Sequence, residues 1–334
     1  MNRSIAILTA VLTGSTVLLA GAPAQATAHG KNGRIAFRRY YNPDHTRGDV
    51  FTIRPDGTGE QQLTHSGPTQ LATEPDWSPS GRQIAYQVAA QGDLDRSRLY
   101  KIRSDGTHRT FIDRSCRAPC RSDGFAQWSP SGRRIAFQRQ LGPAGDPAAL
   151  VALSVMRANG THVRQITQRG ADPMVDHRFQ DMAPTWSPTS RRLAFERQDN
   201  TTGHHAVWTV RLDGTRGRRI TPPRLDAAQP DWSPDGRWIL FRSQEQSDTS
   251  GNVWLVHPNG TGLHKVTNTA PGTGKWGSGS FSPNGRRIVA SHSPGVGPAG
   301  NADVYVMRLD GSHRRNVTSS PPFESAPDWG PRRR

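Results

Sequence analysis

Cysteine is almost absent from this 334-residue chain: only Cys116 and Cys120 occur, separated by Arg-Ala-Pro. So close a pair cannot supply the four ligands of a structural zinc site. It reads as a small disulfide pinning a loop in an oxidising compartment. A redox-active pair is disfavoured, because no helix N-terminus is in sight to lower a thiol pKa. Lysine is nearly missing too. Of 43 basic residues only Lys31, Lys101, Lys265 and Lys275 are lysines, so arginine carries the net charge of +16. The one long apolar run, Ile5 to Ala20, follows Arg3 and precedes the small residues Ala22 to Ala28. It is short for a membrane span and is followed by Ala-x-Ala sites. Residues 1–28 are therefore expected to be a secretion signal, cleaved between 24 and 28. With no second hydrophobic segment, membrane insertion after cleavage is not expected. Catalytic motifs are also lacking, with neither Gly-x-Ser-x-Gly nor His-Glu-x-x-His in the chain. Gly295 to Gly300 match a dinucleotide-binding Gly-x-Gly-x-x-Gly, but the following Asp303-Val304-Tyr305-Val306 reads as strand where that fold needs a helix.

What is present is a repeat. An aromatic followed by Ser-Pro, a turn, a basic residue and an apolar strand recurs at Trp77, Trp128, Trp186, Trp232 and Phe281, with a clipped copy at Trp329-Gly330-Pro331. The aromatics are spaced by 51, 58, 46, 49 and 48 residues. Periods of roughly 40–50 residues with several strands each are the mark of a β-propeller. Within one period, Pro230 to Ser233 is extended and Pro234-Asp235-Gly236 is a turn. Arg237 to Phe241 is a second strand, Val253 to Val256 a third, and Leu263 to Thr267 a fourth, entered through the turn at Asn259-Gly260. Matching second turns stand at Asp56-Gly57, Asp105-Gly106, Asn159-Gly160, Asp213-Gly214 and Asp310-Gly311. The expected fold is all-β, a six-bladed propeller of four-stranded antiparallel blades over residues 31–334. Asn32 to Phe37 supply a second strand without its first, and Pro327 to Gly330 a first without its second. The closing blade is thus shared by the two ends, which removes free sheet edges.

The pairing of aromatic-Ser-Pro-x-Gly-Arg-x-Ile-Ala-Phe with Val-x-x-Asp-Gly-Thr resembles the TolB-type WD40-like repeat across essentially the whole mature chain. That resemblance implies an exported six-bladed propeller that binds other macromolecules without catalysis of its own. TolB proteins carry a further N-terminal α/β domain that is not found here, which speaks against a role with a peptidoglycan-associated lipoprotein. Similar propellers also precede prolyl-oligopeptidase-type hydrolase domains, and none follows here.

Charge and histidine supply the candidate sites. The turns joining first to second and third to fourth strands lie on one face of a propeller disc, and the remaining loops on the other. Assigning charges by repeat position gives +20 on the turn side and −5 on the loop side. Solvated repeat positions explain part of this, and adhesion to a protein or an anionic envelope polymer is the sharper reading. Arg133, Arg134, Arg191, Arg192, Arg286 and Arg287 are its candidate ligand-binding residues. Nucleic acid is not preferred, because Trp238 is the only aromatic adjoining a turn arginine. His108, His162 and His313 follow second turns of separate blades and cannot converge. The oxygen-rich stretch Asp172, Asp176, His177 and Asp181 is the one candidate metal cluster, with calcium its cation; no other cofactor is implied. Trp77, Trp128, Trp186, Trp232, Phe281 and Trp329 are expected to be structural. The sequence points to a noncatalytic exported scaffold, monomeric, secreted or periplasmic according to the producer's envelope. The competing class is a polysaccharide lyase or hydrolase with a site in the loop-side funnel.

Overall fold

The computed structural model describes residues 30–90, 93–142, 149–170, 178–244, 251–295 and 301–333. Nearly all of it is strand; the one helical element among these residues is a short 3-10 turn, Pro223–Leu225. Four antiparallel sheets have four strands each, and each is named here by the aromatic ending its innermost strand. The Trp128 sheet runs Cys120–Trp128, Arg134–Leu141, Leu150–Arg157, Arg164–Gln165. The Trp186 sheet runs Phe179–Trp186, Arg192–Asp199, His205–Arg211, Arg218–Arg219. The Trp232 sheet runs Ala227–Trp232, Ile239–Gln244, Gly251–Val256, His264–Lys265, and the Phe281 sheet runs Gly274–Phe281, Arg287–Pro294, Asp303–Arg308, Arg315–Asn316.

The remaining strands form one eight-stranded sheet with two halves. The Trp77 half holds Gln70–Trp77, Gln83–Ala90, Asp93–Arg103 and Thr110–Phe111. The Trp329 half holds Glu324–Pro331, Asn32–Tyr40, Gly48–Ile53 and Gln61–Gln62. A single parallel bridge between Gly48 and Leu71 joins the halves. The terminal strands pair directly, with Ile35 opposite Trp329 and Arg39 opposite Glu324. Successive innermost strands touch one another, and Gly274–Phe281 meets Glu324–Pro331, which in turn meets Gln70–Trp77. Clusters of buried apolar side chains fill the gaps between neighbouring sheets. Trp329, for instance, is 1% exposed among Ile35, Phe37, Val289 and Val306.

The Ser of each motif explains why the motif recurs. Ser129 is fully buried; its N–H donates to the Arg134 carbonyl and its Oγ accepts from the Arg134 N–H. Ser78, Ser187, Ser233 and Ser282 make the same two bonds with Gln83, Arg192, Trp238 and Arg287. In the Trp232 sheet the second strand begins at Ile239, two residues later than the sequence pattern suggests. The clipped copy also has a cause. A Cβ on Gly330 would lie 2.3 Å from Cγ of Trp77, so Ser cannot stand there. The fourth strands are shorter than expected, only His264–Lys265 in the Trp232 sheet, because Thr267 turns inward to accept the Val253 N–H on its Oγ1.

Candidate functional site

Two regions gather polar side chains: the axis of the ring, and the edge where the Ser-Pro turns lie.

Along the axis every innermost strand carries a bulge, as between Thr73 and Asp76 or between Ala228 and Asp231. Four bulges place a non-glycine residue in the left-handed region just before a proline: Glu74, Ala183, Gln229 and Ala326, with φ between 44° and 51°. Such strain re-aims side chains and clusters at functional sites. Here it turns Glu74, Ala183, Gln229 and Ala326 into a cavity of about 70 Å³ on the loop side. The next stretch, lined by Asp76, Asp231, Asp328 and the tryptophans, holds only about 30 Å³. A water needs roughly 15 Å³ on this measure. The neck therefore admits a few waters or a small ion, and no sugar or peptide.

The neck is knitted by side chains that bridge sheets. Asp328 Oδ2 accepts the Trp77 N–H at 2.7 Å, Asp76 Oδ2 the Trp128 N–H at 2.6 Å, and Asp231 Oδ2 the Phe281 N–H at 2.7 Å. Ser280 Oγ accepts the Trp329 N–H. Burial raises the Asp328 carboxyl to about 6 against those bonds. Burial, then the Asp328 charge, raises Asp76 well above the usual carboxylate range.

At the loop-side mouth the arginines are spent on carboxylates. Arg38 pairs with Glu74 at 3.1 Å, Arg39 with Glu60 and Glu324, Arg139 with Asp123, and Arg197 with Asp181. Glu60, which repeat position counts among the turn-side acids, thus belongs electrically to the loop side. Glu196 Oε1 lies 2.6 Å from His205 Nδ1 while its Oε2 accepts the Gln229 N–H. That bond to Glu196 raises the His205 pKa despite burial.

The turn edge is the opposite case. Among the described residues its one ion pair joins exposed Arg237 and Asp235 at 3.9 Å. Arg133, Arg134, Arg191, Arg286 and Arg287 are exposed and Arg192 is half-buried; none of the six pairs with a carboxylate among the described residues. Sheet register adds partners that sequence reading missed. Arg134 stands directly opposite Arg157, Arg192 opposite Arg211, and Arg287 opposite Arg308. One step along the same face, Arg164, Arg218 and Arg315 occupy the fourth strands. Each of those three donates to a backbone carbonyl of the neighbouring sheet, of Leu212, Asn259 and Pro55 respectively. The acids of the second turns are turned inward: Asp213 Oδ1 accepts from the Thr215 N–H and Oγ1, and Asp56, Asp105 and Asp310 make the corresponding turns.

Of the metal candidates, Asp181 is fully buried and held by Arg197 at 2.6 and 2.8 Å, while Asp172, Asp176 and His177 lie outside the described residues. The signal segment and all but Gly295 of the glycine-rich match lie outside them as well. Cys116 and Cys120 are bonded to each other. With Asp123 they form the one described group of three close enough to hold a metal, but their sulfurs are already spent. His108, His162 and His313 take left-handed φ after their turns and stay on separate sheets.

No known family model matches the chain. Over 65 residues it is 35% identical to the Tol-Pal system protein TolB of Zymomonas mobilis, and over 45 residues 44% identical to TolB 1 of Novosphingobium aromaticivorans. Those stretches cover 19% and 14% of this chain, and only 14% and 10% of the relatives. The crystal structure of TolB from Acinetobacter baumannii superposes with a TM-score of 0.65 at 22% identity, over 90% of this chain and 67% of that one. The fold is a TolB-type β-propeller. Enzymes share the propeller: oligogalacturonate lyase from Vibrio parahaemolyticus superposes at 0.55 with 13% identity, over 88% of this chain and 79% of that one. In all of these the likeness at such identity is one of fold.

Proposed function

We propose that this propeller is a noncatalytic, exported binding module whose turn-side face holds an anionic envelope polymer. Its six blades are the four separate sheets and the two halves of the eight-stranded sheet, the closing blade being stitched from both ends. The observation that carries the reading is the arginine rows. Three sheets each set three arginines along one face with no carboxylate beside them: Arg134, Arg157 and Arg164; Arg192, Arg211 and Arg218; Arg287, Arg308 and Arg315. Like charges directly opposite on a sheet are destabilising, whereas Arg38, Arg39, Arg139 and Arg197 at the loop-side mouth are each paired with an acid. A face left uncompensated in repeat after repeat suits an external polyanion.

The test is retention on immobilised polyanion or on cell wall. Reversing Arg133, Arg134, Arg191, Arg192, Arg286 and Arg287 to Glu should lower the salt needed for elution in step with the number changed, since such contacts are screened within about 10 Å. The control set is drawn from exposed loop-side cations, Arg47, Arg96, Arg114, Arg117, Arg224 and Lys275, because Arg38, Arg139 and Arg197 are held in pairs with Glu74, Asp123 and Asp181. Equal losses from both sets would show net charge at work and refute the face.

A lyase or hydrolase reading is favoured by one observation, the Glu196–His205 pair at the loop-side mouth. Turnover of glycan or ester substrates with added divalent metal, abolished by His205→Ala, would replace the binding-module reading.

A further inference from the structure

We propose that the turn-side groove between the Trp186 and Trp232 sheets is a discrete site for a phosphoryl group, formed by Arg192, Arg211, Arg216 and Arg218. It rests on the polyanion reading and gives it a local address and a ligand chemistry.

Register puts these side chains together. Arg192 stands opposite Arg211, and Ala194 opposite Thr209, which is itself opposite Arg218. Residues directly opposite, or two apart on one strand, point to the same side of a sheet. Arg192, Arg211, Thr209 and Arg218 therefore share the face that packs toward the Trp232 sheet, where Ala194 and Val207 meet Trp232 and Ile239. Arg218 Nη2 donates to the Asn259 carbonyl across the groove, which fixes its guanidinium against the far wall.

Thr209 separates this row from its two counterparts. Its Oγ1 accepts from Arg192 Nη2 at 3.2 Å and draws that guanidinium inward. The equivalent residues are Val155 and Val306, and there Arg134 and Arg287 remain exposed. Once inward, the Arg192 Nε is buried and has no hydrogen-bond partner. A buried unsatisfied N–H is costly, more so on a charged group. Burial and the charges of Arg211, Arg216 and Arg218 together hold the Arg192 guanidinium below its usual pKa. The acid closest in sequence, Asp213, is bound into its own turn by Thr215. Arg216 adds a fourth cation from a left-handed position, φ 55°, which the corresponding turn residues fill with Gly59 and Gly262 or with His108, His162 and His313. A long basic side chain on a conformation suited to glycine is a local cost with no packing return, since Arg216 is exposed.

The ligand class follows from the donors. Several guanidinium forks meeting from different strands need more oxygens than the two of a carboxylate. A tetrahedral phosphoryl group presents three or four, and with up to two negative charges it offsets more of the cluster.

Calorimetric titration of the mature chain at low ionic strength tests this, using inorganic phosphate, glycerol 3-phosphate and acetate. Both phosphates should bind and acetate should not. Binding of inorganic phosphate alone would support the site with the free ion as ligand; binding of both would support a phosphomonoester, such as a terminal phosphoryl group on a polymer. Arg211→Ser should weaken phosphate binding at least tenfold and raise the melting temperature of the free protein, because it relieves repulsion. Thr209→Val, which copies Val155 and Val306 of the two counterpart rows, should weaken it about fivefold, and Arg114→Ser, on the loop side, should leave it within twofold. Acetate binding as tightly as phosphate, or equal phosphate affinity in Arg211→Ser and wild type, would overturn the site. Such failure with polyanion retention intact refutes the site and spares the face; phosphate binding without retention refutes the face and spares the site.

Discussion

Replacing Asp113 by threonine should stabilise this protein, and more so as pH rises. In five repeats the fourth strand is followed by an apolar residue and then a threonine: Thr64, Thr167, Thr221, Thr267 and Thr318. Each accepts on Oγ1 the backbone N–H of the residue fourteen positions earlier: Val50, Leu153, Val207, Val253 or Val304. Asp113 is the sixth member, fourteen after Leu99, and is 1% exposed. Neither carboxylate oxygen has a well-formed hydrogen bond, the Leu99 N–H giving only partial relief. Burial, then the Asp123 charge, raises its pKa to about 7 from an ordinary 3.8. A folded-state pKa above the unfolded one means stability fully present below about pH 4 and lost as pH rises through 7. Roughly three pKa units correspond to at most about 4 kcal/mol. Asp113→Thr should therefore gain about 1 kcal/mol at pH 4.5, from the restored hydrogen bond, and about 3–5 kcal/mol at pH 8. At roughly 2 °C per kcal/mol for a chain of this size, the pH 8 gain is on the order of 5–10 °C. Melting curves of both proteins across pH 4.5–8 measure it, with Asp113→Asn as a charge-free isostere. A melting-temperature difference that does not change with pH would refute the account of Asp113 as a buried, uncompensated carboxylate.

Two further outcomes are expected. Asp328→Asn keeps an acceptor for the Trp77 N–H and removes a charge beside Asp76. It should abolish a loss of up to about 3 kcal/mol that wild type suffers as pH rises through about 6, whereas Asp328→Ala should destabilise at every pH; chemical denaturation at pH 5 and 8 distinguishes them. Deleting Ala326 to Arg334 removes the strand paired with Asn32–Tyr40 and exposes sheet edges. The product should aggregate, and a monomer of unchanged melting temperature by light scattering and calorimetry would count against closure by the ends.

The repeat was legible because its causes are local. The aromatic, the buried Ser and the Asp-Gly-Thr turn each act within a few residues, so their spacing alone reported sheets and turns. The axis was not legible. The residues before the aromatics are Asp76, Gln127, Thr185, Asp231, Ser280 and Asp328, and no shared side chain marks them as a neck. The bulges left only a faint trace, a proline after Glu74, Ala183, Gln229 and Ala326. The turn-side arginines were half visible: Arg191-Arg192 stands out beside its turn, but Arg211 and Arg218 join it only through strand register. Glu60 was misplaced because Arg39 reaches along the sheet to it, a contact that repeat position does not encode. Thr209, which decides how Arg192 is held, is one threonine among many until its partner is known.

The pairing of Asn32–Tyr40 with Glu324–Pro331 has a consequence for how the molecule is made. Trp329 Nε1 donates to the Gly33 carbonyl across 296 residues of chain, so the earliest strand to emerge waits for nearly the last. Long-range pairing of this kind slows folding, and until it forms the first sheet offers an open edge to any passing strand. The intermediate sheets are made from continuous segments and need no such wait. The vulnerable species is thus an almost complete arc, folded along most of its length and sticky at both ends. Chains released a few residues early should resemble that arc, and so should chains clipped near the C-terminus.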